Sequence, residues 1–133
     1  MSSSTIPIPP LLPGDLEVSA FQVTRPKVIK DTVTQLVSPS TAVTLNAAAG
    51  TVTMVATTLA AGASQAFTVY NSYVGAGVIV LVCIHDITDN TSVGGQPNVI
   101  VDNVAEGAFD IVLQNGGLLP IAGGVVKVSF LVV

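Results

Sequence analysis

The chain has 133 residues, of which 9% are charged and 50% hydrophobic, and it carries a net charge of −4. That length closes one core, so a single domain or a domain with an arm is expected. Three of its four bases, Arg25, Lys27 and Lys30, fall together and only Lys127 follows them; without a broad basic patch, nucleic acid is not an expected partner.

Residues 1–26 are set apart by Pro7, Pro9, Pro10, Pro13 and Pro26. Proline fixes φ and removes a hydrogen-bond donor, so this stretch predicts an extended, polyproline-like arm and neither helix nor central strand. Ile6, Ile8, Leu11 and Leu12 sit among those prolines. A plain linker would not carry so many aliphatics, so the arm is expected to order only against a neighbour, the alternative being a disordered leader.

Residues 27–133 read as one β-domain. From Thr32 to Ile84 there is no Asp, Glu, Lys or Arg. The longest wholly apolar piece, Val78–Ile84, falls well short of the ~20 residues a spanning helix needs, so no membrane helix is expected. The chain has four Phe, two Tyr and no Trp, too few for the aromatic girdles of a membrane barrel. The strands expected in order are Val28–Val37, Ala42–Asn46, Thr51–Thr57, Gln65–Asn71, Val78–His85, Asn98–Val104, Ala108–Asn115 and Val125–Val133, separated by Ser, Pro, Gly and Asn clusters. In Thr51–Thr57 the alternation puts Val52, Met54 and Ala56 on one side. Val78–His85 is apolar up to its last residue and predicts a central strand buried on both faces. Asp86–Pro97 reads as the longest polar loop. About eight short strands without a helical period predict an all-β, jelly-roll-like β-sandwich preceded by an extended Pro-rich N-terminal arm.

Two strands carry too much apolar surface for a lone sandwich. In the last, Val126, Val128, Phe130 and Val132 share one face, yet Val125, Leu131 and Val133 lie on the other. In Asn98–Val104, Val99 and Val101 take one face, Ile100 and Val104 the other. Leaving such faces in water makes a sticky patch, whereas burying them against a sister copy gains about 25 cal/mol per Å². A cyclic oligomer, with Val125, Leu131 and Val133 in its packing, is expected.

Groups that could do chemistry are sparse. Cys83 is the single cysteine, which excludes an internal disulfide, and it reads as a buried core thiol. Its spacing of two from His85, the only histidine, permits a thiol–imidazole pair, but apolar surroundings make a thiol inert. Asp86, Asp89 and Asp102 offer carboxylates to a Ca²⁺, yet EF-hand spacing is lacking, and they read as solvated acids. No enzyme, metal or cofactor is expected. The start, Met1 to Thr5, lacks the basic and apolar regions of a signal peptide, so synthesis in a cytoplasm is expected.

Read together, the pieces Ala42–Asn46 (AVTLN), Ala61-Gly62 with Phe67–Ser72 (FTVYNS), Val101–Gly107 (VDNVAEG) with Phe109, and Val126–Val133 (VKVSFLVV) resemble a family of small β-domains in tailed-phage virion proteins. The likeness runs from Thr41 to Val133 and leaves the arm outside. Such domains are similar to capsid decoration (cement) proteins and to domains of head or tail fibres. The resemblance implies a homotrimer on the outer capsid surface of a virion, made in the cytoplasm of a bacterial host, with the major capsid protein as partner. On that basis Ile6, Ile8, Leu11 and Leu12, with the charges Arg25, Lys27 and Lys30, are expected to contact the capsid or the next subunit. The other function implied is a host-binding fibre domain, and a β-sandwich subunit unconnected with any virus is the plainest reading.

Overall fold

A computed structural model describes residues 29–56, 58–88 and 95–133. Eight strands are found in chain order: β1 Lys30–Thr34, β2 Val43–Thr44, β3 Ala49–Thr53, β4 Ser64–Tyr70, β5 Val80–Thr88, β6 Pro97–Ala105, β7 Ala108–Asn115 and β8 Val125–Val132. There is no helix among the described residues, and accordingly none is long and apolar enough to cross a membrane.

The strands form two four-stranded sheets, β1-β3-β8-β5 and β2-β4-β7-β6. The chain changes sheet at every step from β1 to β6, makes the β6–β7 hairpin, and crosses back for β8. Next-but-one strands therefore become neighbours: β1 lies parallel to β3 and β2 parallel to β4, while the remaining pairs are antiparallel. A Greek key is antiparallel throughout, so the two parallel edge pairs depart from that pattern while the two-layer, all-β build expected from the sequence is present.

The core lies between the sheets, and strand alternation writes it. β7 alternates strictly, burying Phe109, Ile111, Leu113 and Asn115. β8 buries Val126, Val128 and Phe130, as its sequence predicted. Val52 and Met54 are buried beside them, whereas Ala56 is exposed because β3 ends at Thr53. The rings of Phe109 and Phe130 meet edge to face at 5.3 Å and 69°, the arrangement that the aromatic quadrupole favours. Gly50 makes this packing possible: a Cβ there would lie 2.5 Å from Leu45 Cδ2 and 2.8 Å from the Phe130 ring.

Three buried amide side chains hold the loops. Asn71 donates to Ala47 O at 2.7 Å and accepts from Tyr73 N at 2.9 Å. Asn115 Nδ2 donates to Leu59 O and Leu119 O, while its Oδ1 accepts from Gln96 N and Gly117 N. Gln35 donates to Pro39 O and Thr41 O and accepts from Val55 N. Each replaces secondary-structure bonds that irregular backbone cannot make.

Two expectations are corrected. Val78–His85 does not yield a central strand: β5 is an edge strand with only one side on the core. Continuous apolar sequence reports burial demand on both faces, but not whether a third layer exists to meet it. Val104 does not face outward with Ile100, because the β6–β7 register slips between Asp102 and Ala105, where Asn103 has φ 50°. One extra residue turns the strand over, and Val104 packs against the core.

Candidate assembly interface

The outer face of the β1-β3-β8-β5 sheet is built in cross-strand rows. Register places Lys30, Ala49, Leu131 and Leu81 in one row. The next holds Thr32, Thr51, Ser129 and Cys83, with the Thr51 and Ser129 hydroxyl oxygens 2.8 Å apart. The third holds Thr34, Thr53, Lys127 and Asp86, where opposite charges face across β8 and β5. Beyond the first row, Val133 N donates to Ile79 O at 2.9 Å, extending the apolar end of the face. The face thus grades from apolar, through hydroxyl, to one ion-bearing row.

The apolar end is open. Ile79, Leu81, Leu131 and Val133 keep 62, 54, 40 and 69% of their surface accessible. Between β5 and β8 a shallow depression of about 180 Å³ is lined by Leu81, Val82, Cys83, Ser129, Phe130 and Leu131. Toward β1 a broader one of about 410 Å³ runs over Ala49, Gly50, Thr51, Ser129 and Phe130 to Lys30, Asp31 and Thr32. The two adjoin at Ser129 and Phe130 of β8 and together make up a trough across the face. Its floor is small because Ala, Thr and Ser occupy the middle of the rows, while Leu81 and Leu131 rise on one side.

The residues expected to make contacts are divided by the fold. Ile6, Ile8, Leu11, Leu12, Arg25 and Lys27 lie outside the described residues. Lys30 opens β1 and is exposed at the β1 edge of this face. Leu131 and Val133 lie at its apolar end, whereas Val125, half-buried, faces Thr88 at the opposite end of β8. Ile79, Leu81 and Cys83 were missed as surface residues. Cys83 is exposed, not a core thiol, because it falls on the outward side of the edge strand β5. The signal was present: a strand apolar on both sides but ending in His85-Asp86 cannot be enclosed at both ends.

His85 sits at the register shift between Ile84 and Asp86, so the simple two-residue alternation that would pair it with Cys83 is interrupted. Asp86 belongs to β5, not to a loop, and Asp102 to β6 in the other sheet; Asp89 lies outside the described residues. No group of three His, Cys, Asp or Glu able to hold a metal occurs among the described residues.

Two loops also expose aliphatic side chains. Leu36 and Val37 in the β1–β2 loop and Leu118 in the β7–β8 loop are 86, 79 and 92% accessible, with Leu119 beside them. These loops are held in shape from beneath by Gln35 and Asn115.

Comparison with family models, with curated proteins and with solved structures returned no match to this chain.

Proposed function

We propose that this chain is a capsid decoration protein of a tailed phage, a homotrimer on the outer capsid surface that stabilises the shell. The protein is made in the cytoplasm of a bacterial host and joins the virion by binding major capsid protein. The observation that carries the reading is the open apolar end of the β1-β3-β8-β5 face, with Leu81, Leu131 and Val133 accessible on a β-sandwich of very low charge. Full burial of a Leu or Val side chain is worth about 1.5–3 kcal/mol, so several per subunit favour association strongly. The arm, through Ile6, Ile8, Leu11 and Leu12, supplies further contact to capsid or neighbour, and Arg25, Lys27 and Lys30 orient it, as rim charges do. The action is mechanical: many copies add buried area across capsomer boundaries. The jelly-roll-like description rests on eight strands in two layers, and the parallel edge pairs weigh against it.

A trimer in sedimentation at micromolar concentration, and saturable binding to purified capsids that falls when residues 1–13 are removed, are the expected results. A monomer that leaves capsids bare would end this reading.

The exposed Leu36, Val37, Leu118 and Leu119 favour a second reading, a host-binding domain of a head or tail fibre, since recognition there is carried by loops. Copy number per particle separates the two: hundreds for decoration, a handful for a fibre.

A further inference from the structure

We infer that the segment Ile6–Leu12 of one subunit seats in the trough on the β1-β3-β8-β5 face of its neighbour, so that subunits are joined by exchanged arms. The inference rests on the oligomer in the reading above and names what covers this face.

Four observations lead to it. The first is position. Ile29 O accepts from Ala49 N at 3.0 Å, and Ala49 stands in the row that runs to Leu131 and Leu81. The arm therefore joins the domain at the same end of the sheet as the uncovered apolar surface. The second is length. Between Leu12 and Ile29 the chain can extend roughly 50 Å at ~3.1 Å per residue. The face is only about 14 Å wide at ~4.8 Å per strand spacing, so the arm is long enough for its aliphatic segment to reach a neighbouring subunit.

The third is chemistry. From Met1 to Gly14 the arm has no charged side chain, and the trough beyond Lys30 and Asp31 has none either. No ion loses its water when the two meet. In a polyproline-like chain the side chains repeat every three residues, so Ile8 and Leu11 share one side. The prolines between and beside them lack N–H donors, which suits a segment lying across a sheet face better than one hydrogen-bonding to its edge. The depression of about 180 Å³ between Leu81 and Leu131 has the size for an aliphatic side chain. The fourth is direction. β1 runs away from the apolar end, and Pro26 with a single glycine, Gly14, before Ile29 favours a chain continuing outward over turning back on its own domain.

Cys83, the only cysteine, lines the depression and reports on the seat directly. In the full-length chain, Ile8→Cys with mild oxidation should give a disulfide from position 8 of one chain to Cys83 of another. The linked species would appear as a ladder on a non-reducing gel, be mapped by mass spectrometry, and vanish with Cys83→Ser. Alkylation of Cys83 by a maleimide should also run at least fivefold faster once residues 1–13 are deleted. An oligomer that forms no link to Cys83, with unchanged alkylation, overturns the exchange and leaves the decoration reading standing. A link confined within one chain overturns the exchange in favour of self-covering. A full-length chain that sediments as a monomer overturns both.

Discussion

Leu81 and Leu131 stand directly across from each other on β5 and β8, paired in register on the outer face, and both remain substantially accessible. Cross-strand aliphatic pairs of this kind stabilise a sheet modestly, but here they also form the wall of an open trough. Replacing Leu131 with Glu should leave the fold intact, since its side chain is outside the core, and weaken self-association by about tenfold or more, the equivalent of ~1.5 kcal/mol of lost burial. Sedimentation across a concentration series, with circular dichroism as the control, measures it. An unchanged association constant would remove this face from the interface.

Gly50 and Phe130 are in contact too close for any side chain at position 50. Gly50→Ala must displace Leu45 or the Phe130 ring, and overpacking of this kind costs about 1–3 kcal/mol. Urea denaturation should show a lower midpoint with an unchanged slope. A variant as stable as the parent would mean that the β3–β8 spacing can yield, and that the Phe109–Phe130 packing is looser than the geometry implies.

Asn115 serves four backbone groups from three loops with one side chain. Truncation to Ala leaves buried donors and acceptors without partners, at about 1–3 kcal/mol for each group that water cannot reach. The loss should appear in the thermal midpoint, and in faster hydrogen exchange at the Gly117 and Gln96 amides than at those of β4. Uniform exchange across the domain would instead make Asn115 a general stability residue and not a loop anchor.

Asn103 combines a left-handed backbone, φ 50°, with a hydrogen bond from Nδ2 to Asp110 Oδ2 at 2.8 Å. Thr68 Oγ1 donates to the other carboxylate oxygen at 2.7 Å. Asn103→Ala loses the bond and keeps the backbone strain, so it should cost about 1–2 kcal/mol. Asn103→Gly loses the bond but relieves the backbone and should cost less. Equal losses in chemical denaturation would show that the side-chain bond, not the conformation, holds the β6 bulge.

Much of the domain was legible in the chain. Alternation in Thr51–Thr57 and Val125–Val133 put Val52 and Met54, and Val126, Val128 and Phe130, on the sides that are core, because side-chain direction in a strand is a local property with a period of two. The same rule placed Leu131 and Val133 outside. It failed at Val104, where a one-residue bulge reverses direction, and a bulge has no composition of its own beyond a tolerant Asn.

Local sequence therefore decided that the chain makes about eight strands and, among the described residues, no helix, and which side of the last strand faces the core. It could not decide neighbours. That β5 closes an edge, exposing Leu81 and Cys83, and that β1 and β3 lie parallel with Lys30 in the row of Leu131, follow from pairings between segments far apart in the chain. Those pairings are chosen by the joint packing of two sheets, and no window of sequence contains both partners. The trough is a product of that choice, since its lining comes from β1, β3, β8 and β5 together.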